Sequence, residues 1–390
     1  MVNKTPTSVQ EECVNLLDSG LSQREVARRL NIWQSTISQN IEQWREDIYK
    51  EIGKPSKDDL RQQIKPIDDY VSETKSHKRN VKHIWHKTKL EDWSKVSVFI
   101  KNPEEAKEQE RFWQELIDEV KKHAPVYPTI ERNVVKDPHL LVIDPADIHI
   151  GKLCSAFETW EEYNQEIAVQ RVREWVQGIL DKSAAYNIEK ILFIGGNDIL
   201  HTDNTKRTTT SGTPQDTDGM WYDNYLKAKK LYVEVIETLL AVADVEFIFN
   251  PSNHDFMSGF YLCQVVEAHF HNNENITFQT DMRHRKYYMY WKNLIGTTHN
   301  DWAKQADLPL IMANEAKVEW SQTEHRYFYW HHLHHKTAKD YHWVTFEWLR
   351  SASGTDSWHH RNGFQYAPKA VEWFLHHPYF WQIARFTHLF

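Results

Sequence analysis

KILFIGGNDILH, residues 190–201, changes character in its middle. Its first half is a continuous apolar run, the pattern of a strand covered on both faces, and its second half gathers Asn197, Asp198 and His201. The same change recurs along the chain. HLLVID (139–144) runs into Asp147 and His149, and VEFIFNP (245–251) into Asn253, His254 and Asp255. NLIGTT (293–298) runs into His299, and RYFYW (326–330) into His331, His332, His334 and His335. Helical stretches at 161–187 and 222–243 separate the first three strands, so the segment reads as α/β. From about Phe278 strands dominate, which adds a mixed sheet or a pair of sheets. Open α/β sheets place ligands beyond the carboxyl ends of their strands, where these five polar groups fall. One Asp or His at a strand end is ordinarily a turn cap, but five in succession are not explained that way.

Composition bounds the rest. A chain of 390 residues, 40% hydrophobic and 26% charged, reads as two or three globular domains. No apolar run is long enough to span a bilayer, and MVNKTPTSVQEEC has no features of a secretory leader. Three widely spaced cysteines, Cys13, Cys154 and Cys263, offer neither a disulfide framework nor a cysteine metal site, and the expected compartment is the reducing cytoplasm. Histidine is abundant (23) and glycine scarce (12). Nineteen of the histidines lie from His139 onward, where Asp and Glu outnumber Lys and Arg by 31 to 23, while residues 1–138 are balanced. Imidazole and carboxylate together are ligands for divalent metals, although an acidic solvated surface gives the same statistic.

The chain divides into three regions: 1–50, 51–138 and 139–390. In the first, SVQEECVNLLDSG is a helix ended by Gly20, Ser22 caps QREVARRL, Asn31 makes a tight turn, and Ser35 caps TISQNIEQWREDIYK. This order resembles helix-turn-helix DNA-binding modules. That resemblance turns Gln34, Ser35, Thr36, Ser38 and Gln39 toward bases and leaves Arg28, Arg29 and Arg45 for phosphates. A plain three-helix protein-binding cap is the alternative. Residues 51–138 read as a linker and small accessory region: a polar stretch at 51–80, a hairpin over 81–101, and an amphipathic helix over 103–124.

Taken as an ordered set, DIH (147–149), GNDILH (196–201), SNHD (252–255), TTHND (297–301) and HHLHH (331–335) resemble the calcineurin-like metallophosphoesterases. The likeness spans about Leu140 to Arg350. GTPQDTD (212–218), SGTDSWHH (353–360) and the leading helices suggest a phage-type branch described as DNA-repair exonucleases. The resemblance implies a four-layer α/β/β/α sandwich and two divalent metal ions. Mn is the commonest activator, with Fe, Zn or Mg as alternatives. It assigns Asp147, His149 and His334 to one metal, Asn253, His299 and His332 to the other, Asp198 to both, and His254 to protonating the leaving oxygen or neutralising the transition state. The function implied is phosphodiester hydrolysis, with DNA as partner and substrate, in the host cytoplasm for a phage-encoded chain. Two alternatives are a catalytically impaired DNA-binding or scaffold protein that keeps the fold, and a phosphomonoesterase or small-nucleotide phosphodiesterase.

This chain departs from the family pattern at glycines. Ser252, Asn300 and His331 stand where the family has Gly, and Asn197 precedes the bridging Asp. Ser252 and above all His331 are expected to strain their loops or narrow the pocket. The pairs His359/His360 and His376/His377 are expected to point to opposite faces of strands, as surface or packing residues. Trp330, Trp343, Trp348, Trp358, Trp373 and Trp381 are expected mostly in the core, with stacking on single-stranded bases as their other use.

Overall fold

The structure, a computed structural model, describes residues 8–19, 21–32, 34–51, 83–89, 95–101, 111, 114–115, 117–145, 147–299, 303–364 and 367–390. The chain forms two compact units, Met1–Phe112 and Trp113–Phe390. In the first, helices α1 (Ser8–Asp18), α2 (Gln23–Leu30) and α3 (Gln34–Glu51) enclose Cys13, Val14, Val26, Ala27, Ile37, Ile41 and Ile48. Ser22 caps α2 by accepting from the Glu25 amide, and Asn31 ends it in the left-handed conformation, φ 52°. Ser35, expected as a cap, instead lies inside the first turn of α3. Gly20 and the stretch 52–82 lie outside the described residues. Strands β1 (His83–Lys89) and β2 (Lys95–Lys101) pair antiparallel as the expected hairpin.

The second unit is layered by the two faces of its buried strands. Its larger sheet has the order β13-β12-β3-β4-β5-β6. These strands are β3 (His139–Asp144), β4 (Ile188–Gly196), β5 (Asp244–Asn250), β6 (Ile276–Gln279), β12 (Ala370–His376) and β13 (Gln382–Leu389). Strands β3 to β6 run parallel, while β12 lies antiparallel to both β3 and β13. The smaller sheet, β10-β11-β9-β8-β7, is built from β7 (Lys286–Tyr290), β8 (Asn293–Thr298), β9 (His325–Trp330), β10 (Thr337–Tyr341) and β11 (Val344–Trp348).

Alternate residues of one strand enter different cores. After the short helix α4 (Ala156–Thr159), helices α5 (Gln165–Ser183), α6 (Trp221–Leu240) and α7 (Phe256–His269) cover one face, where Leu141 and Ile143 pack with Phe193 and Phe247. Leu140 and Val142 face the other way and meet Ile295, Tyr327 and Tyr329 of the smaller sheet. That sheet's outer face, Leu294, Phe328 and Phe346, is covered by Leu308 and Met312 of α8 (Leu308–Glu315), followed by α9 (Lys317–Gln322). The result is a four-layer α/β/β/α sandwich. It explains why these strands are apolar throughout, since a doubly buried strand has no wet face. Helix α5 starts four residues later than the expected 161, because the Asn164 side chain caps it there, accepting from the amides of Glu166 and Ile167 at 3.0 and 2.9 Å. Residues 124–137 also run along this unit, with Tyr127 bonded to Glu237, Ile130 to Asn275 and Arg132 to Asp244. Among the described residues no helix is long and apolar enough to cross a membrane.

Candidate metal centre

The loops after β3, β4 and β5 are stitched to one another beyond the sheet. The Asp147 amide donates to the Asn197 carbonyl at 3.0 Å and the His149 amide to that of Asp198 at 2.9 Å. The Asn197 amide reaches Asn250 O at 3.2 Å, and the Asp198 amide reaches Ser252 Oγ at 2.8 Å. Gly196 sits at φ 78° against the Asn250 carbonyl, a place where any Cβ would collide. In these loops Asp147 and His149 (both φ 51°), Asn197 (φ 51°) and Asp198 (φ 59°) lie in the left-handed region, as do His332 (φ 74°) and His334 (φ 56°) in the loop after β9. Non-glycine residues are uncommon there. Such positions carry strain of about 1 kcal/mol or more and gather at functional sites.

These loops bring the expected ligands together in two groups. The ligand atoms of Asp147, His149 and His334 all lie within 4.8 Å of one another, as do those of Asp198, His299 and His332. Asp198 belongs geometrically to both, its Oδ2 being 3.2 Å from His299 Nε2 and 3.9 Å from His149 Nε2. Asn253 Oδ1 meets His299 Nε2 at 2.8 Å, which adds the amide to the second group. Asp147, His149, Asp198 and His299 are all buried. The residues fit a divalent cation on one observation above all. Asp147 Oδ1 is buried without a hydrogen bond, with His334 Nε2 3.3 Å away. A carboxylate oxygen and an imidazole nitrogen aimed at common space, with no aligned hydrogen between them, are what two ligands of one ion present.

Electrostatics sets the right protonation states. Burial pushes His149 well below its ordinary range, helped by His254 and Lys152, and burial likewise lowers His332 and His334. Burial alone would raise Asp147, but His334 and His299 outweigh it and hold the carboxyl at about 2. Asp198 is likewise kept far below the carboxylate range, because His299 and His254 overcome its burial. Ionised carboxylates and neutral imidazoles are the forms that bind metal.

His254 stands at the edge of this cluster. Its amide donates to Asp198 Oδ1 at 2.9 Å and its Nδ1 donates to the His201 carbonyl at 2.9 Å, which leaves Nε2 as the nitrogen for a substrate. His201 has a place that the strand-end reading noted without assigning a role. Its Nδ1 lies 3.3 Å from His149 Nδ1, and its ring stacks on His254 at 5.2 Å. With His201 on His149 Nδ1, Nε2 is the nitrogen left toward the first ligand group, and the ring nitrogens of His149, His201 and His254 also lie within 4.8 Å of one another as a further candidate cluster. The signal was the His three residues after Asp198.

Two expectations about missing glycines are corrected. Neither Ser252 nor His331 has a left-handed backbone. Ser252 Oγ accepts from the Asp198 amide and donates to Asp255 Oδ1 at 2.6 Å, so the hydroxyl braces the loop. His331 turns away from the pocket into the interior, where Nδ1 donates to Thr298 O at 2.9 Å and Nε2 meets Asp144 Oδ1 at 2.7 Å. Asn300 lies outside the described residues. His359 and His360 are not on a strand but in a short helix, α10 (Ser357–Arg361), where His359 bonds Asp356 and stacks on His334. His376 points inward from β12 to Tyr329 Oη at 2.7 Å, and His377 lies 3.3 Å from Asp137.

In the first unit Gln34, Ser35, Ser38 and Gln39 are exposed on α3 and Thr36 is half-buried, although Ser38 Oγ donates to Gln23 at 2.8 Å. The arginines expected to be free are paired. Arg28 and Arg29 both meet Glu25, and Arg45 meets Asp18 at 2.6 Å. Exposed pairs of this kind are worth about 0–1 kcal/mol, so a competing phosphate can displace them.

No family model matches the chain, and no curated protein matches it. Among solved structures, a novel archaeal phosphodiesterase aligns over 65% of this chain and 99% of its own at 9% identity, with a TM-score of 0.31. A conserved predicted phosphoesterase from Streptococcus pneumoniae aligns over 64% and 98% at 11% identity, TM-score 0.26. Zinc-bound Vps29 from Entamoeba histolytica aligns over 64% and 98% at 12% identity, TM-score 0.26.

Proposed function

We propose that this chain is a metal-dependent phosphoesterase that hydrolyses phosphodiesters, with DNA as its substrate. The observation that carries the reading is Asp198, a single buried carboxylate within reach of both ligand groups. Asp147, His149 and His334 would hold one divalent ion and Asn253, His299 and His332 the other, with Mn favoured and Fe, Zn or Mg as alternatives. A pair of ions bound there supplies Lewis acidity to a phosphoryl centre. The protein supplies the rest. His201 orients His149, the His254 amide and Ser252 Oγ fix Asp198, and His254 Nε2 is presented for proton transfer to a leaving oxygen. The three N-terminal helices would bring the enzyme to duplex DNA through the exposed polar face of α3. An acidic balance is compatible with that, because bound divalent cations add positive potential that the formal charge of −8 omits.

The test is metal analysis of the purified protein, together with Mn-dependent hydrolysis of bis(4-nitrophenyl) phosphate, 4-nitrophenyl phosphate, and single- and double-stranded DNA. Asp198→Asn is the control. Metal binding without turnover on any substrate would sink the enzyme reading and favour the scaffold. Diester turnover without DNA cleavage would point to a small nucleotide.

A further inference from the structure

Beside the first ligand group a set of aromatic rings faces solvent. Trp160 is 75% exposed, Trp358 60% and Phe364 63%. They are not scattered. The Trp160 and His360 rings meet at 5.0 Å, Trp358 and Phe364 at 5.8 Å, and Trp358 and His359 at 5.1 Å. His359 then lies nearly parallel to the ligand His334, at 5.0 Å and 13°. One line of rings therefore runs from His334 through His359 and Trp358 to Phe364 at the surface, with Trp160 and His360 as a second pair on the same short helix and its neighbour.

The mount beneath them is rigid. His359 Nδ1 is held by Asp356 Oδ1 at 2.7 Å, and Asp356 Oδ2 pairs at 2.9 Å with Lys152, which is buried. Ser351 Oγ donates to the carbonyl of Asp147 at 2.7 Å, and the Thr355 amide to Glu161 at 2.9 Å. Gly354 is pressed so closely on Tyr163 that a side chain there would collide with it. The loop that carries α10 is thus tied to the backbone of a ligand residue, so its rings keep a fixed distance from the site.

We infer that Trp160, Trp358, His359, His360 and Phe364 form a stacking platform for unpaired nucleobases next to the metal centre. The inference rests on the phosphodiesterase reading and sharpens it to substrates that carry exposed bases. A nucleotide joins a flat apolar base to a phosphate within a few bonds, which is the arrangement that rings leading to a metal ligand accommodate. Paired bases hide their faces in the stack, so the occupant is single-stranded or flipped out. Aromatic faces read no base edges, so binding tolerates any sequence. A second exposed group, Trp291, Tyr379, Phe380 and Trp381, lies at the opposite ends of the strands, where no ligand histidine continues it.

The test measures fluorescence anisotropy of a labelled four-thymidine oligomer, and of an abasic oligomer of the same length, with the full chain in EDTA. The base-bearing strand should bind at least about tenfold more tightly than the abasic one. Trp358→Ala and Trp160→Ala should each weaken it by about 5- to 100-fold, leave the abasic strand unchanged, and keep the wild-type melting temperature. Trp358→Phe should restore most of the affinity, and Trp381→Ala should change nothing. Equal affinity for the two strands, no measurable binding of the thymidine strand, or an equal loss in Trp381→Ala would overturn the platform. The assay involves no turnover. A protein that stacks bases but hydrolyses nothing would refute the enzyme reading alone, and one that cleaves diesters without base preference would refute the platform alone.

Discussion

Replacing Asp198 by Asn separates the metal's contribution from the fold's. Asn keeps an oxygen for the His254 amide, now 2.9 Å from Asp198 Oδ1, and it visits φ near 59° at least as readily as Asp. What it removes is one negative charge within reach of His299 at 3.2 Å and His149 at 3.9 Å. Without metal that charge repels Asp147 and is, after burial itself, the main reason that Asp255 is raised to about 7, yet His299 and His254 overcome its burial and hold Asp198 far below the carboxylate range. An acid whose pKa falls on folding stabilises the fold in its charged form, so the metal-free variant should melt below the wild type. With metal the gap widens. An ion at a hundred times its Kd stabilises by about 2.7 kcal/mol per site, so two sites give about 5 kcal/mol. At about 2–4 °C per kcal/mol the wild type gains roughly 10–20 °C in Mn. Asp147→Asn should lose about half of that gain and one equivalent of metal, and Asp198→Asn most of both, since its carboxylate alone serves both groups. Thermal melts with and without Mn, paired with metal analysis, read all three. An Asp198→Asn protein that keeps the wild-type stoichiometry and the full metal-induced shift would refute the shared-carboxylate reading.

Ser252→Gly should destabilise by about 1–3 kcal/mol in chemical denaturation, because the buried Asp198 amide and Asp255 lose their partner; an unchanged midpoint would count against the brace. His331→Gly should cost more, about 3–5 kcal/mol, since it leaves Asp144 buried beside an empty space. His376 is held neutral by burial, its pKa brought from 6.5 down to about 3. The unfolded chain therefore takes up a proton that the folded one refuses, and stability complete above pH 6.5 is lost as pH falls toward 3, by up to about 1.4 kcal/mol per pH unit. His376→Gln should flatten that part of the pH profile, measured as denaturation midpoints against wild type. Deleting residues 1–50 should weaken duplex DNA binding, with the loss larger at 50 mM than at about 200 mM salt if Arg28 and Arg29 exchange Glu25 for phosphates; equal binding by both forms would remove the module's DNA role.

How much of this could be read in advance depended on whether each partner lay close in sequence. Strands β3, β4 and β5 were legible because both of their faces are buried, so Leu140 to Ile143 are apolar without interruption and end abruptly at the ligands. Strand β12 was not, because its central Glu372 looks solvent-facing. Arg350 and Arg385 pair with it there, from positions 22 and 13 residues away along the chain. The same distance hid the purpose of His331, whose partner Asp144 is 187 residues away and on another sheet. The residues that converge on the candidate centre were legible one by one, but their conformation was not. Glycine scarcity suggests strained loops at Ser252 and His331, whereas at the candidate centre the left-handed residues are five of the seven expected ligands, Asp147, His149, Asp198, His332 and His334, with Asn197 beside them. In this chain turns that glycine would make without strain are made by candidate ligand residues, so on the proposed reading the backbone strain and the metal affinity sit in the same residues. Removing the metal would leave that strain without compensation. The loops after β3, β4 and β9 should therefore be the first to gain amide hydrogen exchange in chelator, ahead of the sheets that carry them.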